Sequence, residues 1–211
     1  MSGMQLIDPS AIIWSAPEAE RAGRPLLVLL HGYGSHEGDL FGLSPHLPLQ
    51  PVIASVRAPL RAGPGYAWYG LEGATPESRS EGADAAARGL LHWLDGVQAS
   101  SVGLLGFSQG GAMSIHLLRH APERFDFAVS LAGFVVQGDA PADARLAALA
   151  PPVFWGRGTH DAVIPPAFVD HTQSWLPKHS TLTERIYEGL GHSVSEAELA
   201  DVLTFLRAQY S

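Results

Sequence analysis

The chain has 211 residues, no cysteine and a formal charge of −8, a length that suits one domain with a substantial core, here residues 1–211. The missing cysteines exclude disulfides, thiolate metal sites and a cysteine nucleophile, and the acidic balance argues against a nucleic-acid partner, because no basic stripe is present to neutralise phosphates. No apolar run approaches the ~20 residues of a membrane span, and Met1–Leu6 shows no basic region followed by a long apolar core, so a cytoplasmic protein without a signal peptide is the default expectation.

Ile12-Ile13-Trp14 and Leu26–Leu30 are short apolar runs separated by a polar turn. They read as an edge hairpin, or as a strand followed by the first central strand. Val52–Val56 is a third strand. Arg57–Glu77 has neither helical nor strand period, yet it holds Tyr66, Trp68, Tyr69 and Leu71, too aromatic for disorder. Glu81–Gln98 carries apolar residues near helical spacing and is predicted as a helix. Strands are then predicted over Val102–Phe107, Phe125–Ala132, Pro152–Trp155 and Leu182–Tyr187. A helix is predicted over Ala167–Trp175, and a short connecting helix within Gly138–Pro152. The last helix spans Ser195–Gln209, with Glu198 as capping-box partner of Ser195. Strands alternating with helices predict an α/β fold: a mainly parallel sheet covered on both faces.

Val102–Phe107 leads into Ser108-Gln109-Gly110-Gly111-Ala112-Met113. An apolar strand, a sharp turn with a serine at its apex and a helix opening on small residues make the Gly-x-Ser-x-Gly elbow of an α/β-hydrolase. Side chains at Gly106 and Gly110 would collide with neighbouring backbone, and the strained turn lifts the Ser108 hydroxyl clear of the sheet. The plain alternative is a glycine-rich turn with a solvated serine. A serine hydroxyl needs a base, and the base needs an anion to hold its tautomer. In this fold those partners follow in the order acid, then histidine.

Asp161 sits in the glycine-rich loop Gly156–Pro165 after the strand beginning at Pro152, at the carboxyl end of the sheet where α/β folds place their sites. A turn or cap role is the alternative for any single aspartate. Asp39, Asp84, Asp95, Asp126, Asp170 and Asp201 fall in or beside predicted helices and suit solvated roles better. His192 lies in the loop after the last strand, beside Gly191. His160 is its main competitor, but it precedes the acid. His31 is read as shaping the turn His31-Gly32-Tyr33-Gly34, and most of the ten histidines as surface residues. That glycine turn offers the Tyr33 amide as one oxyanion donor, with the Gln109 amide as the other. No His-x-x-x-His or His-Glu-x-x-His spacing is read on a helix, so neither a metal nor a cofactor is expected.

Four segments together resemble the small carboxylesterase/phospholipase family of α/β-hydrolases, which includes acyl-protein thioesterases, lysophospholipases and bacterial short-chain esterases. They are Leu30–Gly34, Gly106–Ala112, Gly158–Pro165 and Tyr187–Val194. The resemblance implies a compact hydrolase without a cap domain, with Ser108, Asp161 and His192 as triad and Tyr33 and Gln109 at the oxyanion hole. Two departures stand out. Ser35 occupies a position where many relatives carry Asp, and Arg57–Glu77 is unlike the corresponding loop of the acyl-protein thioesterases.

The expected reaction is hydrolysis of short- to medium-chain acyl esters, with Trp68, Tyr69, Phe134, Val163 and Ile164 lining an apolar acyl groove. The alternatives are an acyl-thioesterase or lysophospholipase on the same residues, and a ligand-binding relative without chemistry. The expected partner is a small acyl ester. The sequence leaves the oligomeric state open, although an exposed apolar helix would let two copies pair as a homodimer.

Overall fold

The computed structural model describes residues 3–71, 73 and 75–211. In chain order the strands and α-helices are β1 (Ile13–Trp14), β2 (Leu26–Leu30), α1 (Gly38–Phe41), β3 (Val52–Val56), β4 (Leu60–Ala62), β5 (Gly65–Ala67), α2 (Pro76–Asp95), β6 (Val102–Phe107), α3 (Gln109–His120), β7 (Phe127–Leu131), α4 (Asp143–Leu149), β8 (Pro152–Gly158), α5 (Pro166–Trp175), β9 (Thr181–Tyr187) and α6 (Glu196–Gln209). A seven-stranded sheet has the order β1-β3-β2-β6-β7-β8-β9. Every neighbouring pair is parallel except β1 on β3.

The alternation of side chains along a strand splits the core in two. Leu26, Val28, Leu30, Leu104, Ala128 and Val153 face one layer with α2 and α3. Leu27, Leu29, Leu105, Val129, Leu131 and Phe154 face the other, where Val202 and Leu206 of α6 cover them. Both faces are dry, so central strands such as β2 and β3 are buried at every position and read as unbroken apolar runs. This is the α/β-hydrolase architecture. Among the described residues no helix is long and apolar enough to cross a membrane.

One alternative is settled and two expectations change. Of the two readings of the first apolar runs the second holds: β1 is a strand followed by the central strand β2, with which it forms no hairpin, and it pairs antiparallel with β3, Ile13 opposite Ser55. Arg57–Glu77 is not wholly irregular. It holds the hairpin β4–β5, turning at Gly63 with φ 56°, and its end enters α2. That helix starts at Pro76, five residues before the predicted Glu81, because the Thr75 hydroxyl accepts from the Ser78 amide at 3.2 Å and caps a first turn with no buried side chain.

The start of α6 carries a buried acid. The Ser195 hydroxyl accepts from the Glu198 amide at 3.1 Å, which caps the helix. The Glu198 side chain is 1% exposed and lies against Gly156 of β8, where a Cβ would overlap Oε1. Oε1 has no hydrogen-bond partner among the described residues. Burial pushes this carboxyl up to about 7 from 4.5. The folded chain therefore keeps a proton that the unfolded chain releases above about pH 4.5. Its contribution to stability is fully present at acid pH and is lost as pH rises through that window. Glu198→Gln should remove the dependence. In urea unfolding, the stability of the variant relative to the parent should rise by about 1–3 kcal/mol between pH 5 and pH 8. A pH-independent difference would show that the carboxyl is not protonated in the folded chain.

Candidate active site

The elbow is built from close backbone approaches. Ser108 joins β6 to α3 with φ 55° and ψ −116°, a conformation costly for a non-glycine residue. Its amide donates to the Leu131 carbonyl at 2.8 Å, and its own carbonyl accepts from the Ala112 amide at 2.9 Å. A Cβ at Gly106 would overlap the Gly110 carbonyl, and one at Gly110 would overlap the Leu30 carbonyl. Only glycines let α3 start this close to β2 and β6.

Two loops at the carboxyl end of the sheet bring the partners. The loop after β8 and the loop after β9 are laced together: the His160 amide donates to the Leu190 carbonyl at 2.9 Å, and the Gly189 amide to the Thr159 hydroxyl at 2.9 Å. A Cβ at Gly158 would overlap the Leu190 carbonyl. The lacing sets His192 beside Asp161, with Nδ1 2.7 Å from Asp161 Oδ2. The other ring nitrogen, Nε2, lies 2.9 Å from Ser108 Oγ. Asp161 Oδ1 accepts from the amides of Val163 at 2.8 Å and Ile164 at 3.1 Å, so the carboxylate is held by its own loop. An imidazole protonated on Nδ1 donates to Asp161 and accepts from the Ser108 hydroxyl, which satisfies both contacts. Phe107 packs on the His192 ring, with centroids 4.9 Å apart. His160 is exposed and its side chain joins no such relay.

The His31 turn closes the other side. The His31 Nδ1–H donates to the Gly32 carbonyl at 2.8 Å, and Nε2 accepts from the Ala58 amide at 3.1 Å. Burial holds this ring below the usual imidazole range, in keeping with a neutral structural role. The hairpin β4–β5 docks on the same turn: the Gly34 amide donates to the Tyr66 carbonyl and the Tyr66 amide to the Ser35 carbonyl, both at 2.8 Å. Ser35 itself donates to Asp39 at 2.6 Å. Among the described residues the Tyr33 amide has no hydrogen-bond partner. Gln109 is the first residue of α3, so its amide has no intrahelical acceptor.

Ser108, His192, Tyr33 and Gln109 border a groove of about 400 Å³. Tyr69, Phe134, Val163 and Ile164 line it. Trp68 does not. Its ring is fully buried beneath the site and its indole N–H donates to the His31 carbonyl at 2.9 Å, so it supports the turn instead of meeting a ligand. Leu71, Arg79 and Phe168 are among the lining residues that escaped sequence reasoning. Phe168 stacks on Phe134 at 5.0 Å, a contact between α5 and the loop after β7 that no local pattern announces. His116 and His120, four apart on α3, also escaped it, although the spacing is plain in the sequence; they meet Asp84 away from the groove.

The phospholipase/carboxylesterase family model matches residues 14–210. Acyl-protein thioesterase 1 of Kluyveromyces lactis is 26% identical, covering 90% of this chain and 94% of its own. Esterase YpfH of Escherichia coli is also 26% identical, over 89% of this chain and 84% of its own. The crystal structure of esterase PE8 superposes with a TM-score of 0.72 at 28% identity, covering 92% of this chain and 96% of its own.

Gln109 also has a structural task that its side chain alone performs. Oε1 accepts from the Trp68 amide at 2.9 Å and Nε2 donates to the Tyr69 carbonyl at 2.8 Å, both buried. This fastens the segment after β5 over the elbow. Gln109→Ala leaves two buried backbone groups unpaired and should destabilise the protein by about 2–4 kcal/mol in urea unfolding. A loss below about 0.5 kcal/mol would mean that the segment is held by other contacts. With the fold built on this elbow and the family model spanning nearly all of its length, the chain belongs to the phospholipase/carboxylesterase family of α/β-hydrolases.

Proposed function

We propose that this protein is a serine carboxylesterase that hydrolyses short- to medium-chain acyl esters through an acyl-enzyme intermediate, as a single domain without a cap and in the cytoplasm. The observation that carries the proposal is the unbroken relay from Ser108 Oγ through His192 to Asp161, at 2.9 and 2.7 Å. His192 Nε2 takes the hydroxyl proton as Oγ attacks the ester carbonyl. The Tyr33 and Gln109 amides receive the developing oxyanion, each donor being worth roughly 10²–10³ in rate. The imidazolium, stabilised by Asp161, then protonates the departing alcohol. Water repeats the sequence on the acyl-serine: His192 takes its proton, hydroxide adds to the carbonyl, and Ser108 Oγ leaves with the proton returned.

The groove supports the chain-length preference. It is apolar beside the serine, but Tyr33 and Val163 on its rim are 39% and 61% exposed, so it is open along one flank. A small acyl group fills such a groove, whereas a long lipid chain would leave methylenes in water, each forgoing about 0.8 kcal/mol. Acyl-thioesters are the second reading, favoured by the likeness to acyl-protein thioesterase 1; the same attack applies, with a thiol leaving.

Specificity constants for nitrophenyl esters of increasing acyl length, set beside acyl-thioesters and a lysolipid, test the proposal. Short and medium esters should lead. Ser108→Ala should lower kcat by roughly 10⁴–10⁶ with unchanged circular dichroism. Turnover that survives Ser108→Ala, or a folded parent inert towards every ester, would refute it.

A further inference from the structure

Among the described residues, one group of metal-ligating side chains converges outside the groove, towards the far end of α3. His116 and His120 are four residues apart, so their imidazoles leave the same face of the helix one turn apart. Asp84 of α2 meets them. His116 Nε2 is 2.8 Å and His120 Nε2 2.9 Å from Asp84 Oδ1, and the two Nε2 atoms are 3.2 Å apart.

We propose that Asp84, His116 and His120 form a binding site for a divalent cation of the zinc class, one that pins α2 to α3. Three ligands held ~2.0 Å from a tetrahedral zinc stand about 3.3 Å from one another. The three atoms here are separated by 2.8 to 3.2 Å. An ion placed just outside their plane, with the ligands spread by a few tenths of an ångström, completes one face of the tetrahedron. The fourth position falls to water, since Asp84 is 29% exposed while His116 is only 1% exposed. Two imidazole nitrogens with one carboxylate oxygen is a donor set suited to zinc. All three ligands stand on helices packed side by side, which holds them without loop motion.

Without an ion the group is poorly satisfied. Both Nε2–H groups must donate to the same Asp84 oxygen while facing each other, and His116 Nδ1 is buried with no partner. A cation replaces those two protons and turns a crowded pair of donors into ligands. The ring proton of His116 then resides on Nδ1, which finds no acceptor among the described residues. Outer hydrogen bonds of that kind are worth roughly 10–100-fold in affinity, so the dissociation constant is expected to be on the order of micromolar and not nanomolar. Ser108 lies at the opposite end of α3, about 18 Å of helix from His120. The ion is therefore structural and supplies nothing to ester hydrolysis.

The test is calorimetric titration of the chelator-treated full chain with zinc chloride, with cobalt(II) visible absorption as a second readout. One equivalent should bind saturably and raise the melting temperature. Asp84→Asn and His120→Ala should each weaken binding by at least ~10-fold while keeping the parent circular dichroism. His192→Ala should bind like the parent, which separates this site from Asp161 and His192. The proposal is overturned if no saturable binding occurs up to on the order of 100 µM free zinc, if both variants bind like the parent, or if only His192→Ala loses the metal.

Discussion

The backbone of Ser108 is the constraint on which the rest of the site depends. A non-glycine residue at φ 55° and ψ −116° costs of order 1–3 kcal/mol, and it persists only where the surroundings over-determine it. Here they do. The Ser108 amide is tied to β7, Gly110 sits against the end of β2, and Gly106 sits against the first turn of α3. The same packing that forces the turn also leaves the Gln109 amide unpaired at the helix start. Strain, the placing of the hydroxyl at the groove and a free amide donor thus follow from one feature, the absence of room for a Cβ between β2, β6 and α3.

That constraint fixes only one of three side chains. The other two depend on how the loops after β8 and β9 are stitched together. These strands share the longest parallel register in the sheet, from Pro152 opposite Thr181 to Gly158 opposite Tyr187. The register delivers both loops to the same edge, and Gly158 lets them touch. His192 then bridges a carboxylate held by its own loop amides and a hydroxyl held by the elbow. The hairpin β4–β5 completes the arrangement by docking on the His31 turn, where the Trp68 indole and the Gln109 side chain are spent on backbone partners while the Gln109 backbone amide stays free.

Much of this was legible in the residues because parallel strands buried on both faces must be continuously apolar. Val52–Val56 and Val102–Phe107 match their predicted bounds for that reason. The strand beginning at Pro152 was read too short. Gly156, Arg157 and Gly158 carry little strand preference of their own and are held by pairing with β9. The hairpin β4–β5 was invisible because its strands are three residues long and their order comes from docking on a distant turn. Ser108, Asp161 and His192 were nameable because chain order in this fold assigns each to a loop. Arg79 and Phe168 were not, since a groove wall assembled from α2 and α5 depends on helix placement and not on any local pattern. The His116–His120 spacing was readable, but its significance needed Asp84 from a helix distant in sequence.

Reaction with a fluorophosphonate probe, followed by peptide mapping of the folded protein, tests the central claim most directly, that Ser108 is a nucleophile activated by His192. One equivalent should attach to Ser108, with no attachment in Ser108→Ala and greatly slowed attachment in His192→Ala. A folded protein that stays unlabelled, or that carries the label on another residue, would contradict it.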